Sequence, residues 1–75
     1  MLSRGNRKVA TIADGGTILI LDDGSSWLIE PGDSHRAKAW TSGTRVSIIP
    51  SHESEQLIRN QNTGEQVRVV YTGQR

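Results

Sequence analysis

The sequence predicts a small all-β barrel of five or six strands with one short helix, OB-like or alternatively SH3-like in wiring. Three observations carry this. Short apolar-rich runs recur along the chain, each bounded by Gly, Asp, Asn or Ser. Three of the intervening turns share one chemistry: "ADGG" at 13–16, "LDDG" at 21–24 and "QNTG" at 61–64. In each, an Asp or Asn precedes a closing Gly, which suits a hairpin turn that ends on a left-handed glycine. The chain has 75 residues and no cysteine, so a single apolar core must hold one domain together, helped at most by oligomerisation.

Residues 1–7 are polar and basic and read as an N-terminal arm, followed by one domain over 8–75. Strands are predicted at Lys8–Ala13, Thr17–Leu21, Ser26–Glu30, Arg45–Ile49, Gln56–Asn60 and Gln66–Tyr71. A three-residue loop at 22–24 sets Leu21 opposite Ser25, Leu19 opposite Trp27 and Thr17 opposite Ile29. One face of that hairpin carries Leu19, Leu21, Trp27 and Ile29, the other Ile18, Ile20 and Leu28. A half-exposed hairpin has one polar face; here both faces are apolar and both need cover.

The stretch "PGDSHRAKAW" at 31–40 is the one predicted helix, with Asp33 or Ser34 as its N-cap. Ala37 and Trp40 stand three apart and share a face suited to the barrel mouth. Val46 and Ile48 alternate with Arg45 and Ser47, the pattern of a half-buried strand. "PSHESE" at 50–55 is a polar loop. The last hairpin has two registers. A three-residue turn puts Leu57 on the face of Val67 and Val69, and a two-residue turn puts Ile58 there.

"LDDGSSW", then "AWTSGTRVSI", then "LIRNQNTGEQV" together resemble a family of small, largely uncharacterised bacterial β-barrel domains. Its pattern falls here on Asp23, Gly24, Ser25, Trp27, Trp40, Gly43, Val46, Asn60 and Gly64, and the resemblance spans roughly residues 17–71. It implies the barrel fold and no activity or cofactor. Members are often exported, whereas "MLSRGNRK" has no apolar stretch behind it and does not read as a signal peptide. The default expectation is therefore a cytoplasmic location.

Several function classes recede on composition. Nine basic residues against eight acidic ones give no global field toward nucleic acid or an anionic membrane. The longest apolar run, Ile18–Leu21, is far below the roughly 20 residues of a membrane helix. Asp22 and Asp23 suit a turn better than a metal site, since an EF-hand needs oxygens at alternating positions and a distant Glu. "DSHR" at 33–36 sets Asp33, Ser34 and His35 side by side, but sequence neighbours do not point at one another as a triad requires. His52, Glu53 and Glu55 lack a second His or Cys to complete a zinc set. No catalytic residue, metal ligand or cofactor is assigned.

What remains is a binding or assembly module, non-enzymatic, with a protein partner or a second copy of the chain. Its candidate interface is Ile18, Ile20 and Leu28. The alternative is a barrel that binds single-stranded nucleic acid, with Trp40, Arg45, Arg59 and Arg68 as candidate contacts. In that reading Trp40 lies exposed as a platform; otherwise it caps the barrel end. The same arginines otherwise serve as solvated charges paired with Glu30, Glu65 or Asp14. Trp27 is expected in the core, because the chain has no Phe to fill it.

Overall fold

A computed structural model describes residues 6–50 and 56–74. Six strands close into an antiparallel barrel: β1 (Asn6–Ala13), β2 (Ile18–Leu21), β3 (Ser25–Ile29), β4 (Arg45–Pro50), β5 (Gln56–Asn60) and β6 (Gln66–Gln74). The strand order is β1-β2-β3-β6-β5-β4, with β4 returning to β1. Two three-stranded meanders are thus joined at β3–β6 and β1–β4. The predicted class is the observed one, and every strand has two neighbours.

Alternation then assigns the core. Val9, Leu19, Leu21, Trp27, Ile29, Val46, Ile48, Ile58, Val67 and Val69 are buried, and together they come from all six strands. Leu19 faces Trp27 across β2–β3, as the three-residue loop requires. Gly24 closes that loop, donating its N–H to the Leu21 carbonyl at 2.9 Å with φ 86°. The loop of the last hairpin is longer than either predicted length. Asn60 pairs with Glu65 around residues 61–64. An even loop keeps the parity of the two-residue turn, so Ile58 meets Val67 in the core and Leu57 faces outward opposite Arg68. The carboxamide of Asn60 accepts from the Asn62 N–H at 2.8 Å and supports the turn.

Three expectations need correction. Asn6 and Arg7, expected in the arm, are ladder residues opposite Ser47 and Val46; residues 1–5 lie outside the described residues. The "ADGG" turn is not a simple hairpin turn. Asp14, Gly15 and Gly16 follow one another at φ 52°, 67° and 96°. The helix is shorter than predicted, a 3-10 turn at Pro31–Asp33 running into α1 (Ser34–Ala37). Asp33 and Ser34 do not cap it. Asp33 accepts from Arg36 at 2.7 Å and from the Arg68 backbone N–H at 3.0 Å, and Ser34 donates to the Pro31 carbonyl.

Ala37 and Trp40 are buried and plug one end of the barrel. Gly16 makes this possible. A Cβ there would collide with the Ser34 carbonyl oxygen and stand 3.0 Å from the Lys38 nitrogen. Only a bare backbone lets the β1–β2 turn and α1 meet. Gly15→Ala, where an added Cβ meets nothing within 4 Å, should therefore cost about 1 kcal/mol, from positive φ alone. Gly16→Ala should cost about 1–3 kcal/mol more, because the helix must also move. Urea unfolding of the two variants checks the order.

Candidate functional site

The end opposite α1 is built by the β2–β3 turn, the start of β1 and the end of β6. Here the Asp-Gly-Ser-x-Trp stretch acquires a physical meaning. Trp27 lies in the core with 1% exposure, so its indole N–H needs a partner inside the protein. That partner is the Ser25 hydroxyl, at 2.9 Å. Ser25 in turn donates its hydroxyl (2.6 Å) and its N–H (2.9 Å) to one carboxylate oxygen of Asp23. The other oxygen faces Arg7 Nε at 3.5 Å. Arg7 also reaches Asp22, at 3.9 Å. Gln74 closes the ring by donating to the Asp23 carbonyl and accepting from the Tyr71 hydroxyl. Tyr71 stands edge-on to Trp27, 5.1 Å between ring centres.

Arg7, Asp23, Ser25, Trp27, Tyr71 and Gln74 line a polar cavity of about 280 Å³, with Ile48 as its further apolar side. Their hydrogen bonds run mainly to one another. The Ser25 hydroxyl holds the Asp23 carboxyl below its usual range; partial burial opposes this, and the Ser25 N–H and the Arg7 charge add to it. The turn is thus a structural device that satisfies a buried indole. Among the described residues no three His, Cys, Asp or Glu side chains gather as a metal set. The bonds of Asp33 and Ser34 go to Arg36, Arg68 and Pro31, so these two do not converge on His35. His52, Glu53 and Glu55 lie outside the described residues.

The outer wall carries two different surfaces. On β2, β3 and β6 the register sets Ile18 opposite Leu28 and Leu28 opposite Val70. Leu28 is 48% exposed and Val70 46%, with Ile18 and Ile20 partly covered. A notch of about 70 Å³ lies beside them, bordered by Glu30, Pro31 and Arg68. The predicted interface residues therefore do share one face, and Val70 joins them. Its signal was present in the Val69-Val70 doublet, since a strand must turn one of two consecutive residues outward.

On β1, β4 and β5 the wall is mixed: basic residues stand beside the partly covered Ile49–Leu57 pair. Lys8 opposes Arg45, and Arg59 opposes Ser47. Arg68 stands apart on β6, opposite Leu57. None of these three arginines has an ion pair among the described residues. The expected pairing with Glu30, Glu65 or Asp14 does not form, and Glu65 instead accepts from the Trp40 indole at 3.0 Å. Trp40 is 6% exposed. It is core, and the exposed platform is not formed.

Fold and surfaces together define a small closed antiparallel β-barrel with an apolar stripe on β2, β3 and β6 and unpaired cations on β1, β4 and β5. Comparison with family models, with curated proteins and with solved structures finds no match. Among the described residues no helix is long and apolar enough to cross a membrane.

Two outcomes are expected at the turn. Ser25→Ala removes the partner of a buried N–H and should cost about 1–3 kcal/mol, read from denaturant midpoints. The depressed Asp23 pKa contributes stability that is present above the unfolded value near 4 and lost as pH falls through the folded one. Asp23→Asn keeps an acceptor but not the titration. Its stability should fall less than that of wild type as pH drops below about 4, measured by urea unfolding over a descending pH series.

Proposed function

We propose that this protein is a non-enzymatic binding or assembly module whose partner is a protein seated on the stripe of Ile18, Ile20, Leu28 and Val70. The observation that carries this is the Leu28–Val70 pair, two large apolar side chains opposed in register and each nearly half exposed. Covering the exposed half of each contributes about 1 kcal/mol. The stripe is therefore of the size that supports a transient complex and not an obligate one. Self-association through this face is one form of the proposal.

The nucleic-acid alternative retains its basic residues, at Lys8, Arg45 and Arg59. It loses its stacking platform, because both tryptophans are buried. Tyr71 is the only large aromatic exposed among the described residues, and it belongs to the polar mouth. Single-strand binding draws much of its energy from such stacking, so the protein-partner reading is preferred. The order of three strands, a short helix and then further strands supports the OB-like wiring over the SH3-like one.

Leu28→Lys should leave the circular dichroism spectrum and unfolding midpoint close to wild type while removing association. Light scattering over a dilution series should show the wild-type mass falling on dilution and the variant monomeric throughout. Val70→Lys, from the opposing strand, should do the same. A wild type that stays monomeric at every concentration rules out self-association. A Leu28→Lys chain that unfolds would place this face in the domain's own core.

A further inference from the structure

We propose that the cleft between β1 and β4 is a binding site for a tetrahedral oxyanion, a phosphate or sulfate group held between Lys8 and Arg45. This goes beyond the protein-docking reading and concerns the other outer wall. The antiparallel ladder sets Lys8 directly opposite Arg45. Side chains so placed leave the backbone about 5 Å apart at Cβ, and like charges there destabilise the pairing. Both residues are exposed, and among the described residues neither has a carboxylate at ion-pair distance. Asp22 flanks Lys8 on the other side, its N–H donating to the Lys8 carbonyl at 2.9 Å, but among the described residues its carboxylate is paired with Arg7. Among the described residues no carboxylate is thus paired with Lys8 or Arg45.

The cleft has a volume of about 240 Å³ and is lined by Asn6, Arg7, Lys8, Asp22 and Arg45; Arg7 is engaged by Asp22 and Asp23, which leaves Lys8 and Arg45 as its unpaired cations among the described residues. Asn6 is oriented by its neighbours. Its carboxamide oxygen accepts from Gln61 at 2.8 Å and from Ser47 at 3.3 Å, which leaves its NH₂ as a donor. Lysine supplies a compact charge with rotatable donors, arginine a planar fork, and the amide a neutral donor. That set matches the several acceptor oxygens of one phosphate or sulfate. A bound oxyanion would also turn the repulsive Lys8–Arg45 contact into a bridged one across the β1–β4 seam.

The test is thermal unfolding by circular dichroism in inorganic phosphate, with sodium chloride holding ionic strength constant. Wild type should melt about 3–7 °C higher at phosphate three times its dissociation constant. Lys8→Glu converts the like-charged pair into a complementary one. It should fold, melt above wild type in low salt without phosphate, and show no phosphate response. Competition between phosphate and a labelled oligothymidylate then separates the sources. Binding that is lost in Lys8→Glu and displaced by phosphate assigns the oxyanion to a nucleic-acid backbone. A phosphate response without oligothymidylate binding assigns it to a free or small-molecule phosphate. A wild-type melting temperature unmoved by phosphate overturns the site. So does a phosphate response that survives in Lys8→Glu, and so does oligothymidylate binding that phosphate does not displace.

Discussion

The hydrogen bond between the Trp27 indole and the Ser25 hydroxyl is the constraint on which one half of the barrel depends. A barrel this small without phenylalanine must fill its centre with an indole, and an indole brings a polar N–H into apolar surroundings. The acceptor stands two residues away on the same strand, so both project to the same side of the sheet. Ser25 can accept from Trp27 because Asp23 takes the hydroxyl proton. Asp23 can do so because the turn ends on a left-handed glycine. One buried nitrogen thereby fixes the chemistry of the turn and the aim of Arg7.

The other end solves a similar problem with parts far apart in sequence. Trp40 fills the barrel bottom beneath α1, and its N–H is met by Glu65 on the far side of the β5–β6 turn. Asp33 reaches the backbone of β6 just beyond the last β3–β6 pair, where Glu30 donates to the Arg68 carbonyl and Asp33 accepts from the Arg68 N–H. The short helix is thus tied to the sheet by a carboxylate as well as by apolar contact. That bond explains why Asp33 is not available to cap α1.

The parts legible in the sequence were those governed by near neighbours. Period-two alternation placed five of the six strands within about two residues of their observed ends. Turn chemistry gave the Leu19–Trp27 register outright. It left the last hairpin open, since only loop parity separates Leu57 from Ile58. The apolar outer face was legible in Ile18, Ile20 and Leu28 because both faces of one hairpin were apolar. Long-range contacts were not. Nothing local to Gly16 announces the approach of Ser34 and Lys38. Nothing near Trp40 announces Glu65, so its burial was undecided. The start of β1 was missed because Asn6 and Arg7 are polar, and their pairing depends on β4, about forty residues later.

The β1–β4 seam joins Asn6–Lys8 to Arg45–Ser47 and runs on through Val9, which donates to the Thr44 carbonyl and accepts from the Gly43 N–H. No hairpin joins its two strands, so nothing restores the pairing locally once it parts. The remaining strands form one continuous run of neighbours from β1 through β2, β3, β6 and β5 to β4. Fluctuations therefore have a preferred route: the cylinder unrolls at one line into a curved ribbon without losing its other pairings. Amide protons along that line should exchange with solvent before those of β3 and β6. During such openings, two strand edges that the closed form hides become available for pairing with other chains.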